Sequence, residues 1–225
     1  LIGESGIYSV HLLSQKRIEA FIEAVPDVYK NIGIQFKNGI QLPPNNNFEI
    51  GQKSNYSLFL QSPYDTIQNN FSEALKTGLE EAKLHKLKPI TNLKPEKIAA
   101  LFKDNAAKSK DVEAVFHAYQ RIMYNALHRG WGFASGIVNE KDTLLAAAFF
   151  ILSHGKILSL LAPQTSEGKT KNARNLLFDY FIRNNAGRPL ILDFNTSDDY
   201  PKNFGALQKN FQYLSRKTNK WWKVF

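Results

Sequence analysis

The amino-acid sequence predicts an α/β protein, in the form of a mixed α+β sheet with helices on its faces. Two observations carry this. Three consecutive strand-like segments, residues 131–138, 143–153 and 156–162, are joined only by the short turns "NEKD" and "HG", which suit hairpins. A strand–helix–strand stretch follows them, and such a crossover places parallel neighbours in the same sheet.

Each element has its own signal. Ser14 is a cap residue ahead of Ile18, Phe21, Ile22 and Val25, which share one helical face. Ile32, Ile34 and Phe36 alternate as in a strand, and a turn-rich segment runs from 38 to 47. Tyr56, Leu58 and Leu60 mark a second strand. The stripe Ile67, Phe71, Leu75, Leu79 and Ala82 predicts one long helix over 64–84. A short strand at 87–91 precedes a helix opened by Pro95 at its favoured first position. A second helix over 111–128 buries Val112, Val115, Phe116, Tyr119, Ile122 and Met123. After the three hairpin strands come a loop, a helix to about residue 184, the strand "PLILDF", a short helix at 200–205 and a strand at 211–215.

Composition narrows the function. The chain has 225 residues with 43% hydrophobic content, 16 Phe and 9 Tyr, which is globular. No apolar run reaches the roughly 18 residues of a membrane span, and no signal peptide is read. With no cysteine, disulfides, thiolate metal sites and a Cys nucleophile are excluded, and a reducing, cytoplasmic compartment is expected. The five His residues, at 11, 85, 117, 128 and 154, have no zinc-like spacing, so no metal is expected. Net charge is +9, and residues 165–225 carry 11 Lys and Arg against 5 Asp and Glu. A basic half of this kind suits an anionic partner: a nucleotide cofactor, a nucleic acid or an acidic carrier protein.

The segment "SEGKTKNARNLLFDYF", residues 166–181, is the candidate anion site. It leaves a strand and feeds a helix whose first amides lack intrahelical partners, a setting that suits phosphate. Gly168 permits unusual backbone geometry, while Lys169, Lys171 and Arg174 add cations. An ordinary surface turn with solvated lysines fits the same residues. It is not a P-loop: "GKT" stands at 168–170, but Pro163 occupies the place of the first glycine.

The order of these elements, with "NYSLFLQSPYDTIQNNFSEALKTGLEEAKLHKLKP", "DTLLAAAFFILSHGKILSLLA", "EGKTKNARNLLFDYFIRNNAGRPLILDF" and "NFGALQKNFQYL", resembles the GNAT superfamily. These are the acyl-CoA N-acyltransferases, and the FemAB-like branch with its tandem GNAT-type units is the nearer likeness. The resemblance implies a GNAT-type acyl-CoA N-acyltransferase fold. It reads residues 64–225 as an acyltransferase domain and residues 1–63 as the later part of a first GNAT-like unit. It implies transfer of an acyl or aminoacyl group to an amine-bearing acceptor. The donor would be acyl-CoA (acetyl-CoA), another phosphopantetheine carrier such as acyl-carrier protein, or aminoacyl-tRNA.

On that resemblance the carrier's arm lies along the backbone of Leu160, Leu161, Ala162 and Pro163. Its phosphates sit on Gly168, Lys169, Thr170, Lys171, Asn172, Ala173 and Arg174. Asp193, which closes the apolar strand, is the candidate general base, although a cap on the neighbouring loop fits it as well. Tyr213 is the candidate proton donor to the leaving thiolate. Two departures from the FemAB-like pattern favour an alternative, a catalytically inactive GNAT-fold binding or interaction protein. Ala74, Thr77 and Gly78 replace polar positions of the long helix, and Asn195 and Thr196 follow Asp193 and Phe194. A further alternative is nucleic-acid binding through the basic half.

Overall fold

The first described residue is a cap: the Ser14 hydroxyl accepts the Arg17 amide, and helix α1 (Gln15–Glu23) follows. Strands β1 (Gly33–Lys37) and β2 (Phe48–Phe59) come next, then helices α2 (Tyr64–Asn69) and α3 (Glu73–Leu84). Strand β3 (Lys88–Thr91) precedes α4 (Pro95–Asn105) and α5 (Lys110–His128). The hairpin strands are β4 (Gly132–Val138), β5 (Leu144–Ser153) and β6 (Lys156–Leu161). Helices α6 (Ser166–Thr170) and α7 (Ala173–Asn185), strand β7 (Ile191–Asp193), a 3-10 turn (Tyr200–Phe204) and β8 (Leu207–Arg216) complete the order. This computed structural model describes residues 14–26, 33–37, 48–105 and 110–216. Ile32, the 38–47 segment and the terminal "NKWWKVF" lie outside them.

The chain divides into two compact units, residues 56–208 and residues 2–55 with 209–225. In the larger unit the strand order is β2-β7-β6-β5-β4-β3. Its pairings are antiparallel except β6 with β7, the one made by a helical crossover. The turn between β5 and β6 has two residues in the left-handed region, His154 (φ 49°) and Gly155 (φ 74°), as a tight hairpin requires. Strand β5 serves two cores. Ala146, Ala148 and Phe150 pack with α7, while Ala147 and Phe149 pack with α4 and α5. A strand covered on both faces reads as an unbroken apolar run rather than an alternation, which is how 144–152 reads. Phe150 stacks on Phe181 of α7 with ring centres 3.7 Å apart.

The smaller unit pairs β1 with β8, Ile34 opposite Leu214. Ile18 and Ile22 of α1 join Ile34, Phe36 and Leu214 in a small core.

One expected element is different. The helix anticipated over 64–84 is two helices, α2 and α3, parted at residues 70–72. Ser72 is the cause: its hydroxyl caps α3 by accepting the Leu75 amide and donates to Asn203 Oδ1 at 2.9 Å. The stripe survives the break, since Ile67, Phe71, Leu75, Leu79 and Ala82 are all buried.

Candidate functional site

The site begins where two strands part. Parallel pairing of β6 and β7 runs from Lys156↔Ile191 to Leu158↔Asp193 and stops there. Strand β6 continues along its other neighbour, with Ser159 opposite Phe150 and Leu161 opposite Phe149. Local chemistry turns β7 away. The buried Asp193 carboxylate accepts the Asn195 amide at 2.8 Å, and Asn195 takes a left-handed backbone (φ 51°). The Phe194 amide stays with β2, donating to the Tyr56 carbonyl at 3.0 Å.

The opening holds a cavity of about 340 Å³. Residues 159–163 line one side, and residues 194–196 with Asp198 line the other. Phe102 of α4 closes it from one core, and Arg174 and Phe178 of α7 with Tyr200 close it from the other. The cavity therefore reaches both faces of the sheet.

Among the described residues that line this cavity, Arg174 is the cation. Its guanidinium carbon lies 4.1 Å from the centre of the Tyr200 ring, and its Nε is buried with no hydrogen-bond partner. A buried donor left open costs stability unless something else satisfies it. The Tyr200 hydroxyl donates to Asn175 Oδ1 at 3.0 Å, and burial raises its pKa, so the phenol stays protonated. The chain of side chains goes on: Asn175 Nδ2 donates to Asn172 Oδ1 at 3.1 Å, and Asn172 Nδ2 donates to Glu81 Oε2 at 2.9 Å. Gly78 makes room for this, because a Cβ there would lie 3.0 Å from the Asn172 side chain.

The 3-10 turn is pinned from below. The Tyr56 hydroxyl donates to Asp199 at 2.6 Å, and Lys202 pairs with Asp199 at 2.9 Å. The hydrogen bond from Tyr56, then the one from Lys202, lowers the Asp199 pKa.

The residues singled out in the sequence separate here. Leu160, Leu161, Ala162 and Arg174 line the cavity; Gly168, Lys169, Thr170, Lys171, Asn172 and Ala173 do not. Instead of an open loop, residues 166–170 form α6, whose cap is Thr165 accepting the Gly168 amide. Gly168 is needed for packing: a Cβ there would fall 2.3 Å from the Leu145 carbonyl oxygen. Thr170 donates to the Ser166 carbonyl, and Lys171 pairs with Glu167 at 2.8 Å. Ala173 is buried at the start of α7. Asp193 is fully buried, with Lys156 Nζ 2.7 Å from Oδ2 and the Asn195 amide on Oδ1. Tyr213 belongs to the smaller unit, on β8 opposite Gln35, with the Lys53 ammonium 3.8 Å from its ring centre.

Phe102, Ser159, Thr196, Asp198 and Tyr200 were not anticipated as lining residues. One signal could have found three of them: "NTSDDY", a polar run directly after the apolar "PLILDF".

At the level of sequence the chain matches no protein-family model and no curated protein. Among solved structures it is similar to FemX, with a TM-score of 0.61 and 9% identity over 88% of this chain and 76% of that one. The chain has a GNAT-type fold. The fold is shared with a conserved protein of unknown function from Staphylococcus epidermidis, at TM-score 0.57 and 12% identity over 92% of this chain and 82% of that one. It is shared too with the C-terminal domain of a protein described as a lysylphosphatidylglycerol synthetase from Agrobacterium fabrum. That match has a TM-score of 0.54 and 9% identity, over 92% of this chain and 73% of that one. Identities this low speak for the fold alone. No helix among the described residues is long and apolar enough to cross a membrane.

Proposed function

We propose that the chain is an N-acyltransferase that moves an acyl or aminoacyl group from an anionic carrier to an amine. The observation that carries this reading is the parting of β6 from β7 beside Arg174, which leaves a strand edge and a cation around one cavity. An amide-bearing arm can add to a free strand edge through backbone hydrogen bonds. In the reaction the amine nitrogen forms a C–N bond at the carbonyl carbon and the C–S or C–O bond to the carrier breaks. The amine gives up a proton and the leaving group takes one.

In this reading residues 160–163 hold the arm and Arg174 holds its phosphate, with residues 168–173 flanking it. Asp198 lines the cavity and is the carboxylate to test as proton acceptor; Asp193, the base expected from the sequence, would first have to release Lys156 or the Asn195 amide. Tyr200 lines the cavity and is the phenol to test as a proton donor, its proton now given to Asn175 Oδ1; Tyr213, the donor expected from the sequence, stands on β8 in the smaller unit. Acyl-CoA, including acetyl-CoA, acyl-carrier protein and aminoacyl-tRNA are the donors to test, with a cytoplasmic setting. Residues 1–63 are read as part of a first GNAT-like unit ahead of a domain over 64–225. FemX and the lysylphosphatidylglycerol synthetase domain lend support as neighbours by fold.

The test is a transfer assay with the three donors and a panel of primary amines, read by mass spectrometry, for the wild type and Arg174→Gln. Transfer from at least one donor is expected, reduced at least about tenfold in the variant, the scale of a lost charge-assisted hydrogen bond. No transfer from any donor overturns the reading. The engagement of both Asp193 oxygens favours the second reading, a binding protein without catalysis. Carrier binding that Arg174→Gln abolishes, with no transfer in the wild type, would establish it.

A further inference from the structure

One stretch of strand edge in the larger unit has no neighbour. Strand β3 pairs with β4 only over residues 135–138. It goes no further because Asn92 turns left-handed (φ 58°) and Pro95 opens α4. Among the described residues no strand takes over, so residues 132–134 of β4 are paired with β5 alone. Sheets commonly blunt such an edge with lysine, proline or a bulge. Here it carries aromatic rings instead: Trp131 is 51% exposed and Phe133 is 44% exposed.

The register says on which face each ring lies. Phe133 stands opposite Phe150, which packs with α7, so Phe133 is on that face. Trp131, two residues earlier, shares it, and its carbonyl still accepts the Leu152 amide at 2.8 Å. On the other face the end of α5 lies over Gly132, where a Cβ would be 3.0 Å from the Leu127 amide nitrogen. Exposed Tyr124 and Leu127 stand three residues apart on that helix. A strand added beside residues 132–134 alternates its side chains between the two faces and meets apolar surface on both. The Arg129 guanidinium carbon lies 5.4 Å from the centre of the Trp131 ring, and Lys94 is exposed just past the end of β3. Glu96, also exposed, is already engaged by the Tyr124 hydroxyl.

We propose that this edge is a docking site for an extended apolar segment of a partner protein, flanked by acidic residues and added as a strand in line with β3. The backbone of residues 132–134 supplies the hydrogen bonds, Trp131 and Phe133 on one face and Leu127 on the other take alternate side chains, and Arg129 and Lys94 meet the acidic flanks. A second copy of this chain fits less well, since each copy carries a net charge of +9 and would bring its own Arg129 to the seam.

Calorimetric titration of the whole chain with three acetylated and amidated octapeptides tests this. They are DEVIVYED, the lysine-flanked KKVIVYKK, and DEVPVPED, whose prolines remove backbone donors. DEVIVYED should bind at least about tenfold tighter than either control. Phe133→Lys and Trp131→Ala should each weaken it at least about threefold, and thermal unfolding of both variants first excludes a folding defect. No binding of DEVIVYED, either control binding within the tenfold factor, or a smaller change in either variant overturns the proposal. So does sedimentation of the chain alone as a dimer that Phe133→Lys splits, which would give the edge to a second copy. None of these residues lines the cavity, so the result is independent of the transfer assay.

Discussion

Two arginines on α7 lie over tyrosine rings at almost the same distance, yet they belong to different kinds of structure. Arg183 is 4.2 Å from the ring centre of Tyr64, and Arg174 is 4.1 Å from that of Tyr200. Around Arg183 the circuit closes: the Tyr64 hydroxyl donates to Asp179 and accepts from Arg183 Nη2 at 3.0 Å, which is 3.6 Å from Asp179. Around Arg174 it stays open, with Nε buried and no acceptor for it. The same pair of residue types is therefore a lock joining α2 to α7 at one end of the helix and, in the proposed reading, a receptor for an anion at the other. What differs is whether the chain supplies the carboxylate.

Removing that carboxylate should have the largest effect. Asp179→Ala leaves a half-buried phenol and one face of a guanidinium without their acceptor, and should cost about 1–2 kcal/mol of stability. The figure is held down because the Arg183 side chain is 55% exposed and its ion pair is screened. Arg174→Ala should cost less than about 1 kcal/mol, since it removes a donor that the fold does not satisfy. Urea unfolding of the two variants measures the difference. Equal losses would make Arg174 a structural residue and end the contrast.

Acid and alkaline titration sharpen it at a smaller scale. Burial raises the Asp179 carboxyl above its ordinary 3.8, so the native state keeps this proton longer than the unfolded chain does. The stability it contributes is complete below 3.8 and is lost as pH rises through the raised value. Asp179→Asn should remove that part of the acid-range slope. Burial also raises Tyr64 and Tyr200 above 10.0, so at alkaline pH the unfolded chain gives up these protons first and stability falls. Tyr64→Phe and Tyr200→Phe should each flatten the fall beyond pH 10 in unfolding curves recorded across that range. An anion bound at Arg174 should alter the Tyr200→Phe comparison and leave that of Tyr64→Phe unchanged.

The lock and the receptor were unequally legible in the sequence. Periodicity and turn chemistry are local, so the hairpin strands, Pro95 at a helix start and the stripe from Ile67 to Ala82 could be read directly. The break at Ser72 could not, because it depends on Asn203, far along the chain. Arg174 and residues 160–162 stood out from their place after β6. Gly168 stood out for a different reason than its surroundings give, since its neighbour is the carbonyl of Leu145 on another strand. Asp179, Tyr64 and Tyr200 drew no attention, because each is a residue type common on helices and turns. Their meaning comes from a partner that only folding brings near.

The smallest expected effect tests how firmly the receptor is held. Gly78→Ala adds a methyl group 3.0 Å from the Asn172 side chain, the middle of the chain from Tyr200 through Asn175 to Glu81. Alanine favours the helix by about 0.5–1 kcal/mol, and displacing Asn172 offsets most of that, so net stability should move by less than about 0.5 kcal/mol. Tyr200 would lose the fixed position of its Asn175 partner, and the guanidinium resting on it would lose some of its alignment. Affinity for coenzyme A, the simplest of the proposed carriers, should then fall by about two- to threefold, while Asp179→Ala, acting at the other end of α7 on the folded protein, leaves it alone. A gain of the full helical preference with unchanged affinity would mean that Asn172 yields freely. The receptor would then be held by Tyr200 alone, through the Tyr56–Asp199 clamp beneath its turn.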